Sequence, residues 1–168
     1  MVDLEGETMV FLKVRPGNVE RAVKDLRKNA SVRMVQPTLG PHDLVVRGNF
    51  RDDAALRAFV KEVEAKDYAD GCQALPSFRQ WVREKESEMP LVGWTLIQAR
   101  DPTAAMKGLQ NIAAVNRIYE VPGQFNLVAS VHARDAPQLM ETMTREIHKL
   151  EGVRRTETLM GPREPENR

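Results

Sequence analysis

The sequence of 168 residues predicts an α+β protein in which one βαββαβ unit occurs twice. The segments VRMVQPTLGPHDLVVR at 32–47 and VNRIYEVPGQFNLVASV at 115–131 each read as two strands joined by a glycine-containing turn. Their glycines, Gly40 and Gly123, lie 83 positions apart. Apolar residues recur at helical spacing on both sides of each hairpin. Together these observations predict tandem ferredoxin-like repeats.

The first unit is predicted to span residues 8–76. Its opening strand is rich in β-branched and apolar residues, and the helix that follows begins at Asn18, a residue type favoured as N-cap. Pro37 interrupts the second strand, and because proline cannot donate to a ladder it predicts that this part lies at a sheet edge or a bulge. A second helix, capped by Asp52 or Asp53, leads to a short closing strand.

The second unit is predicted to span residues 91–161, after a connector at 77–90 that combines a short helix with a charged linker. Asp101 followed by proline predicts the start of its first helix. The second helix is predicted to face inward through Leu139, Met140, Met143, Ile147 and Leu150. Residues 162–168 are predicted to form a disordered tail.

Each unit would place both helices on one face of an antiparallel sheet and leave the other face uncovered. An uncovered apolar sheet face of this size is unfavourable in water. Two covalently linked units can cover each other's sheets. The sequence therefore predicts sheets packed face to face.

The charge balance argues against direct nucleic-acid binding. Lys plus Arg number 25 and Asp plus Glu number 24, whereas proteins that neutralise phosphates usually carry a basic excess. Cys72 is the single cysteine, and no apolar run approaches the roughly 20 residues needed to cross a bilayer. We therefore expect a cytoplasmic protein that binds neither nucleic acid nor a membrane.

Motifs for metal, cofactor or catalytic sites are missing from the sequence. The three histidines, His42, His132 and His148, are scattered and show no ligand spacing. No phosphate-binding glycine loop, dinucleotide fingerprint or nucleophile elbow occurs. The sequence therefore predicts no metal, no cofactor and no catalytic residue.

The two hairpin turns are the candidate ligand site. The predicted contacts are Gly40, His42, Asp43, Gly123, Gln124, Phe125 and Asn126. The glycines are expected to supply positive φ, and they leave backbone N–H groups open to a carboxylate. Asp43 and Asn126 either bond their own turn backbone or contact the ligand. In the second case Asp43 would pair with a ligand ammonium group, which Asn126 could do only weakly.

At the hairpins the chain resembles the effector-binding (RAM) domain of the Lrp/AsnC regulator family. The matching stretches are 32–46 and 115–131, and the closing segment 147–159 is also similar. The resemblance implies a dimeric α/β-barrel arrangement, with a small effector, typically an amino acid, near the Gly-x-x-Asp hairpin at an interface between packed domains. Two departures stand out: the first strand begins near Thr8, which leaves no room for the family's helix-turn-helix, and Asn126 replaces the aspartate.

The expected function is a non-catalytic small-molecule sensing or regulatory module. Its expected partners are an amino acid or related metabolite and further copies of itself or of family regulators. One alternative is a protein–protein scaffold in which the pocket is lost. The other is a small α/β-barrel enzyme.

Overall fold

The computed structural model describes residues 6–167. The chain divides into two compact units. One contains the described residues up to Phe78 together with the segment from Glu164, and the other is Arg79–Arg163. None of the helices in this part of the chain is long and apolar enough to span a membrane.

The first unit has the predicted βαββαβ order. Its elements are β1 (Thr8–Val14), α1 (Val19–Arg27), β2 (Val32–Pro37), β3 (Leu44–Gly48), α2 (Asp53–Glu64) and β4 (Ala69–Pro76). The strands form one antiparallel sheet in the order β2-β3-β1-β4, so Pro37 lies in an edge strand as predicted. Leu26 of α1 and Phe59 of α2 pack with Leu12 in one apolar core, which places both helices on the same face of the sheet.

The helix starts of this unit follow the predicted capping residues. Asp52, rather than Asp53, caps α2, because its carboxylate accepts a hydrogen bond of 2.8 Å from the backbone N–H of Ala55. Asn18 occupies the N-cap position of α1, but its side chain makes no capping hydrogen bond to the helix. Its amide donates instead to the carbonyl oxygens of Arg15 and Pro16.

The second unit repeats this order and adds one strand in front of it. Its elements are β5 (Arg79–Val82), β6 (Leu91–Ala99), α3 (Pro102–Gln110), β7 (Val115–Glu120), β8 (Leu127–Ala133), α4 (Ala136–Thr142), a π-helical turn (Met143–Ile147) and β9 (Val153–Pro162). The antiparallel sheet has the order β5-β7-β8-β6-β9. Residues 6–167 thus form two antiparallel sheets and four α-helices, which confirm the α+β class and the ferredoxin-like repeat.

The prediction of a short helix in the connector is wrong. Arg79–Val82 forms β5, which pairs with β7 so that Trp81 lies opposite Ile118. Trp81 packs against the core of the second unit. The apolar residues of so short a segment are compatible with either a helix or a strand. The segment forms a strand because the edge of β7 is free to pair with it.

The helix α4 differs from its counterpart by one residue. The N-caps Asp52 and Asp135 lie 83 positions apart, whereas Cys72 and Thr156, which occupy matching positions in β4 and β9, lie 84 apart. The extra residue is absorbed in the π-helical turn, where the N–H of His148 donates to the carbonyl of Met143.

The prediction that Met140 faces inward is wrong. Met140 is 65% exposed, whereas Leu139 and Met143 are buried. Leu139 and Met143 lie one turn apart and define the inward stripe, from which Met140 is displaced around the helix.

The predicted disordered tail is also wrong for the residues that the structure describes. Pro162 ends β9, and residues 164–167 belong to the first unit. Glu164 pairs with Arg27 at 3.1 Å, and Glu166 pairs with Arg47. The composition of the tail favoured disorder, but its carboxylates have arginine partners far away in sequence. Arg168 lies outside the described residues.

Candidate functional site

The two hairpin turns have the backbone conformation that their glycines were predicted to supply. Gly40 has φ of 139° and Gly123 has φ of 116°. Side-chain-bearing residues rarely adopt these angles. A Cβ at Gly123 would meet only the carbonyl oxygen of Phe125, at 3.9 Å, so conformation rather than space requires glycine there.

Asp43 holds its turn against the first strand of the unit. Its Oδ2 accepts a hydrogen bond of 2.8 Å from the backbone N–H of Val14, and its own N–H donates to the carbonyl of Leu12. These bonds span the irregularity in the register of β1 between Leu12 and Val14. The side chain therefore bonds the neighbouring strand. The expectation that it bonds the backbone of its own turn is wrong.

Asn126 occupies the matching position in the second unit and makes one more hydrogen bond. Its Oδ1 accepts from the N–H of Ala99 at 2.9 Å, and its Nδ2 donates to the carbonyl of Ala99 at 2.9 Å. Its own N–H donates to the carbonyl of Ile97. An amide both donates and accepts, whereas a carboxylate only accepts. The exchange of Asp for Asn therefore keeps the fastening of turn to strand, which we call the clamp.

The tips of the two turns differ more than the clamps. Pro41 of the first turn lacks a backbone N–H, and His42 lies beside the ring of Phe11 at 5.8 Å between ring centroids. Gln124 takes the position of Pro41 and is exposed. Across the described residues, the N–H groups of Gly123, Gln124 and Phe125 donate no hydrogen bond. The second turn therefore presents three unused backbone donors.

An arginine that no sequence motif indicates lies beside the second turn. The guanidinium of Arg155 stacks over the ring of Phe125 at 5.4 Å from its centroid. The strand register places Gly71 at the position in the first unit that Arg155 occupies here. The second turn therefore has a neighbouring cation where the first unit has no side chain at all.

A small cleft extends from this arginine along β9. Its volume is about 280 Å³, and it is lined by His148, Val153, Arg154, Arg155 and Thr156. The Nε2 of His148 lies 2.8 Å from Oγ1 of Thr156. The paired arginines at the start of the last strand are the sequence signal that could have indicated this cleft, but only the fold brings Arg155 to the hairpin.

A second polar cluster lies around His132 in β8. The guanidinium of Arg117 bonds both carboxylate oxygens of Glu86 at 3.3 Å and the hydroxyl of Tyr119 at 3.2 Å. The Nε2 of His132 lies 3.8 Å from Glu86. His132 is buried, and among residues 6–167 its Nδ1 has no hydrogen-bond partner.

The charges of this cluster follow from burial. Burial lowers the pKa of His132 below its ordinary value, and the Glu86 carboxylate opposes that shift only in part. Burial also disfavours the charged form of Arg117, but Tyr119 and Glu86 more than offset it and raise the pKa of the guanidinium. His132 is therefore a neutral imidazole near pH 7, beside a fixed cation. In the sequence it was one of three scattered histidines.

Comparisons with known proteins identify relatives of the second unit and of the whole fold. The family model of the Lrp/AsnC ligand binding domain matches residues 96–166. No curated protein matches the chain in sequence. A Thermus thermophilus protein of known structure is 34% identical, with 44% of this chain and 95% of that chain covered and a TM-score of 0.42.

Two solved structures resemble the chain over nearly its full length. The siroheme decarboxylase NirDL has a TM-score of 0.74 at 8% identity and covers 94% of this chain and 71% of its own. An anthrone oxidase-like protein has a TM-score of 0.58 at 7% identity, with 96% and 93% covered. At such identities the likeness shows the fold alone, and it extends over both ferredoxin-like units.

Proposed function

The second unit belongs to the Lrp/AsnC ligand-binding domain family, and we propose that the chain senses an amino acid or related carboxylate metabolite at the hairpin of that unit. The family supports a sensing or regulatory role. The finer assignment, to one ligand class at one hairpin, rests on the geometry of the turn and of β9.

The observation that carries the proposal is the position of Arg155 beside the second turn. A guanidinium stacked on the ring of Phe125 is held in one orientation, and its planar fork matches a carboxylate. The unused N–H groups at Gly123 and Gln124 are further donors for an anion. These groups suit the carboxylate end of a metabolite.

The neighbouring cleft suits the remainder of a small ligand. Its volume of about 280 Å³ is near the lower end of pockets that hold drug-sized molecules, roughly 300–1,000 Å³. Thr156 and His148 line it with a hydroxyl and an imidazole that can face an amino group. We therefore assign the ligand class as small amino acids and their close analogues.

The first hairpin lacks the features that favour binding at the second. Pro41 removes a backbone donor, and Gly71 stands where the second unit has the arginine. The proposal is therefore one ligand per chain, bound at the second unit. His42 and Asp43 would contact a ligand only if the first hairpin formed a second site.

The proposal also covers assembly and location. We propose that the chain associates with further copies of itself or with family regulators in the cytoplasm, and that it has no catalytic activity of its own. Exposed apolar side chains such as Leu39 and Met140 are candidate contacts. Light scattering on the purified protein, with and without amino acids, measures that association.

A second candidate function is acid–base catalysis, and the cluster around His132 favours it. A neutral buried imidazole beside Arg117 and Tyr119 could move a proton for a bound substrate. NirDL shares the fold and is a siroheme decarboxylase. Absorption spectra of the protein mixed with an iron tetrapyrrole would show a bound chromophore, and His132→Gln should change them if the imidazole contacts it.

A thermal-shift screen across the amino acids tests the sensing proposal. We expect at least one amino acid to raise the melting temperature, and we expect Arg155→Gln to abolish that shift. Arg134→Gln is the matched control, because Arg134 is an exposed arginine of the same unit that contacts only Asp135 by side-chain charge. No shift with any amino acid, or equal loss in both variants, would contradict the proposal.

A further inference from the structure

The first unit has a cleft on its helix face that neither hairpin uses. We call it the α1 cleft; its volume is about 660 Å³, and Gly17, Arg21, Lys24, Lys28, Lys66 and Tyr68 are among its lining residues. It lies between α1 and the segment that joins α2 to β4. All of its lining residues belong to the first unit.

A longer loop opens this cleft. Leu12 and Ile97 occupy matching positions, since each accepts a hydrogen bond from its clamp residue, and they lie 85 positions apart. The helix N-caps Asn18 and Asp101 lie only 83 apart. The first unit therefore has two additional residues between strand and helix, and they include Gly17, around which a Cβ would meet nothing within 4 Å.

The second unit fills the matching space with apolar side chain. The position of Lys66 corresponds to Leu150, which packs so closely on α3 that a Cβ at Gly108 would lie 2.8 Å from it. Gly108 itself corresponds to Asp25. Tyr68 corresponds to Gly152, because Arg15 and Arg100 donate their N–H groups to these two carbonyls. The cleft is thus a feature of one copy of the repeat.

The floor of the cleft is a fixed polar network. The hydroxyl of Tyr68 donates to Asp25 at 2.6 Å, and Lys66 pairs with the same carboxylate at 3.4 Å. The hydrogen bond from Tyr68 is the main cause that lowers the pKa of Asp25, so this carboxylate stays charged. Arg21 pairs with Asp67 at 3.1 Å and lies over the Tyr68 ring.

The charges that remain after this pairing are mostly positive. Arg21, Lys24, Lys28 and Lys66 line the cleft together with Glu20, Asp25 and Asp67. In the part of the chain that the structure describes, Lys24 and Lys28 form no ion pair. They lie four residues apart and therefore share one face of α1. Two ammonium groups that form no ion pair within the described residues therefore face a cleft that contains one further carboxylate, Glu20. Lys28 acts on Asp25 only through its charge, which helps to lower the pKa of that carboxyl.

We propose that the α1 cleft binds a small phosphorylated metabolite, with the phosphate held by Lys24 and Lys28. Ammonium groups bind phosphate as point charges, and two neighbouring ammonium groups match the charge of nearly −2 that a phosphate carries at neutral pH. The guanidinium of Arg21, which could also bind a phosphate, is already engaged with Asp67. The site is separate from the second-unit hairpin and independent of the sensing proposal. It would give the chain a second kind of ligand.

Titration calorimetry with inorganic pyrophosphate tests this site. The wild-type chain should bind the probe, and the double variant Lys24→Gln/Lys28→Gln should bind it at least about fivefold more weakly, since two charge contacts are lost. Lys107→Gln is the matched control, because Lys107 occupies the position of Lys24 in the second unit. The affinity of Lys107→Gln for pyrophosphate should stay within about twofold of the wild-type value. Binding of pyrophosphate by the wild-type chain should weaken as salt is added.

Three results would overturn the proposal. The first is no measurable binding of pyrophosphate by the wild-type chain, and the second is equal weakening in the double variant and the Lys107→Gln control. The third comes from co-sedimentation with phosphatidylserine vesicles: binding to vesicles without binding to free pyrophosphate would mean a lipid surface and not a metabolite. Lys24, Lys28 and Lys107 are all exposed, so we expect the variants to fold. Their melting temperatures check this expectation.

Discussion

The two hairpins of this chain share a clamp and differ at the tip. In both, the residue at the fourth turn position fastens the hairpin to the first strand of its unit, through Asp43 to Val14 and through Asn126 to Ala99. At the tip, the first turn has Pro41 where the second has Gln124 with free backbone donors. The clamp is common to both units, and under the sensing proposal recognition depends on the tip and on β9.

The same lesson applies to the helix faces of the units. Leu150 packs on α3 in the second unit, where the first unit has a cleft with lysines. The second unit has Arg155 and the unused turn donors at its hairpin, and the first unit has the α1 cleft on its helix face. The two proposed binding surfaces therefore lie on different repeats.

Exchanging the clamp residues should give the largest difference between the hairpins. Asn126→Asp removes the donor to the carbonyl of Ala99 and brings a charge near it, so we expect a loss of about 2–3 kcal/mol in unfolding free energy. Asp43→Asn keeps an acceptor for Val14, so we expect less than about 1 kcal/mol. Urea unfolding measures both. Equal losses would mean that the two clamps are equivalent.

Replacing the turn glycines should give the next largest loss of stability, and the loss should be similar in the two hairpins. Gly40→Ala and Gly123→Ala force a Cβ into positive φ, which costs roughly 1–3 kcal/mol at each position. Both variants should lower the urea midpoint, because each turn requires its glycine. A neutral effect at either position would show that the turn can adopt another conformation.

The strands, the capping residues and the edge position of Pro37 were predictable because each depends on local residue chemistry. Three features were not. Residues 79–82 form β5 because β7 offers a free edge, and residues 164–167 are ordered by arginines distant in sequence. The helical spacing does not distinguish Leu139 from its neighbour Met140 as the inward residue, and the structure exposes Met140. Each of these outcomes depends on a tertiary partner.

The candidate site was predicted in part. The glycine turns lie where the sequence indicated, but the residue with the most distinctive charge, Asp43, serves the clamp. Arg155 was missed because its link to Phe125 crosses between β9 and the hairpin, and no sequence spacing reports that contact. His132 was discounted as an isolated histidine, although Arg117 and Glu86 lie beside it. The sequence thus indicated the hairpins but not their neighbours.

Acid should destabilise the second unit through His132. Burial lowers the pKa of this histidine in the folded state, so the unfolded state binds the proton more readily below its ordinary value of about 6.5. Stability is therefore fully present above that pH and is lost as the pH falls below it. His132→Gln should reduce the fall of the urea midpoint between pH 7.5 and about 5.5. An unchanged fall would mean that other groups cause it.

The measurement that tests the central claim most directly is the stoichiometry of amino-acid binding by titration calorimetry. The account predicts one ligand per chain, binding weakened by about tenfold or more in Arg155→Gln, and unchanged binding in Asp43→Asn. Two equal sites per chain, or binding that depends on Asp43 and not on Arg155, would contradict it.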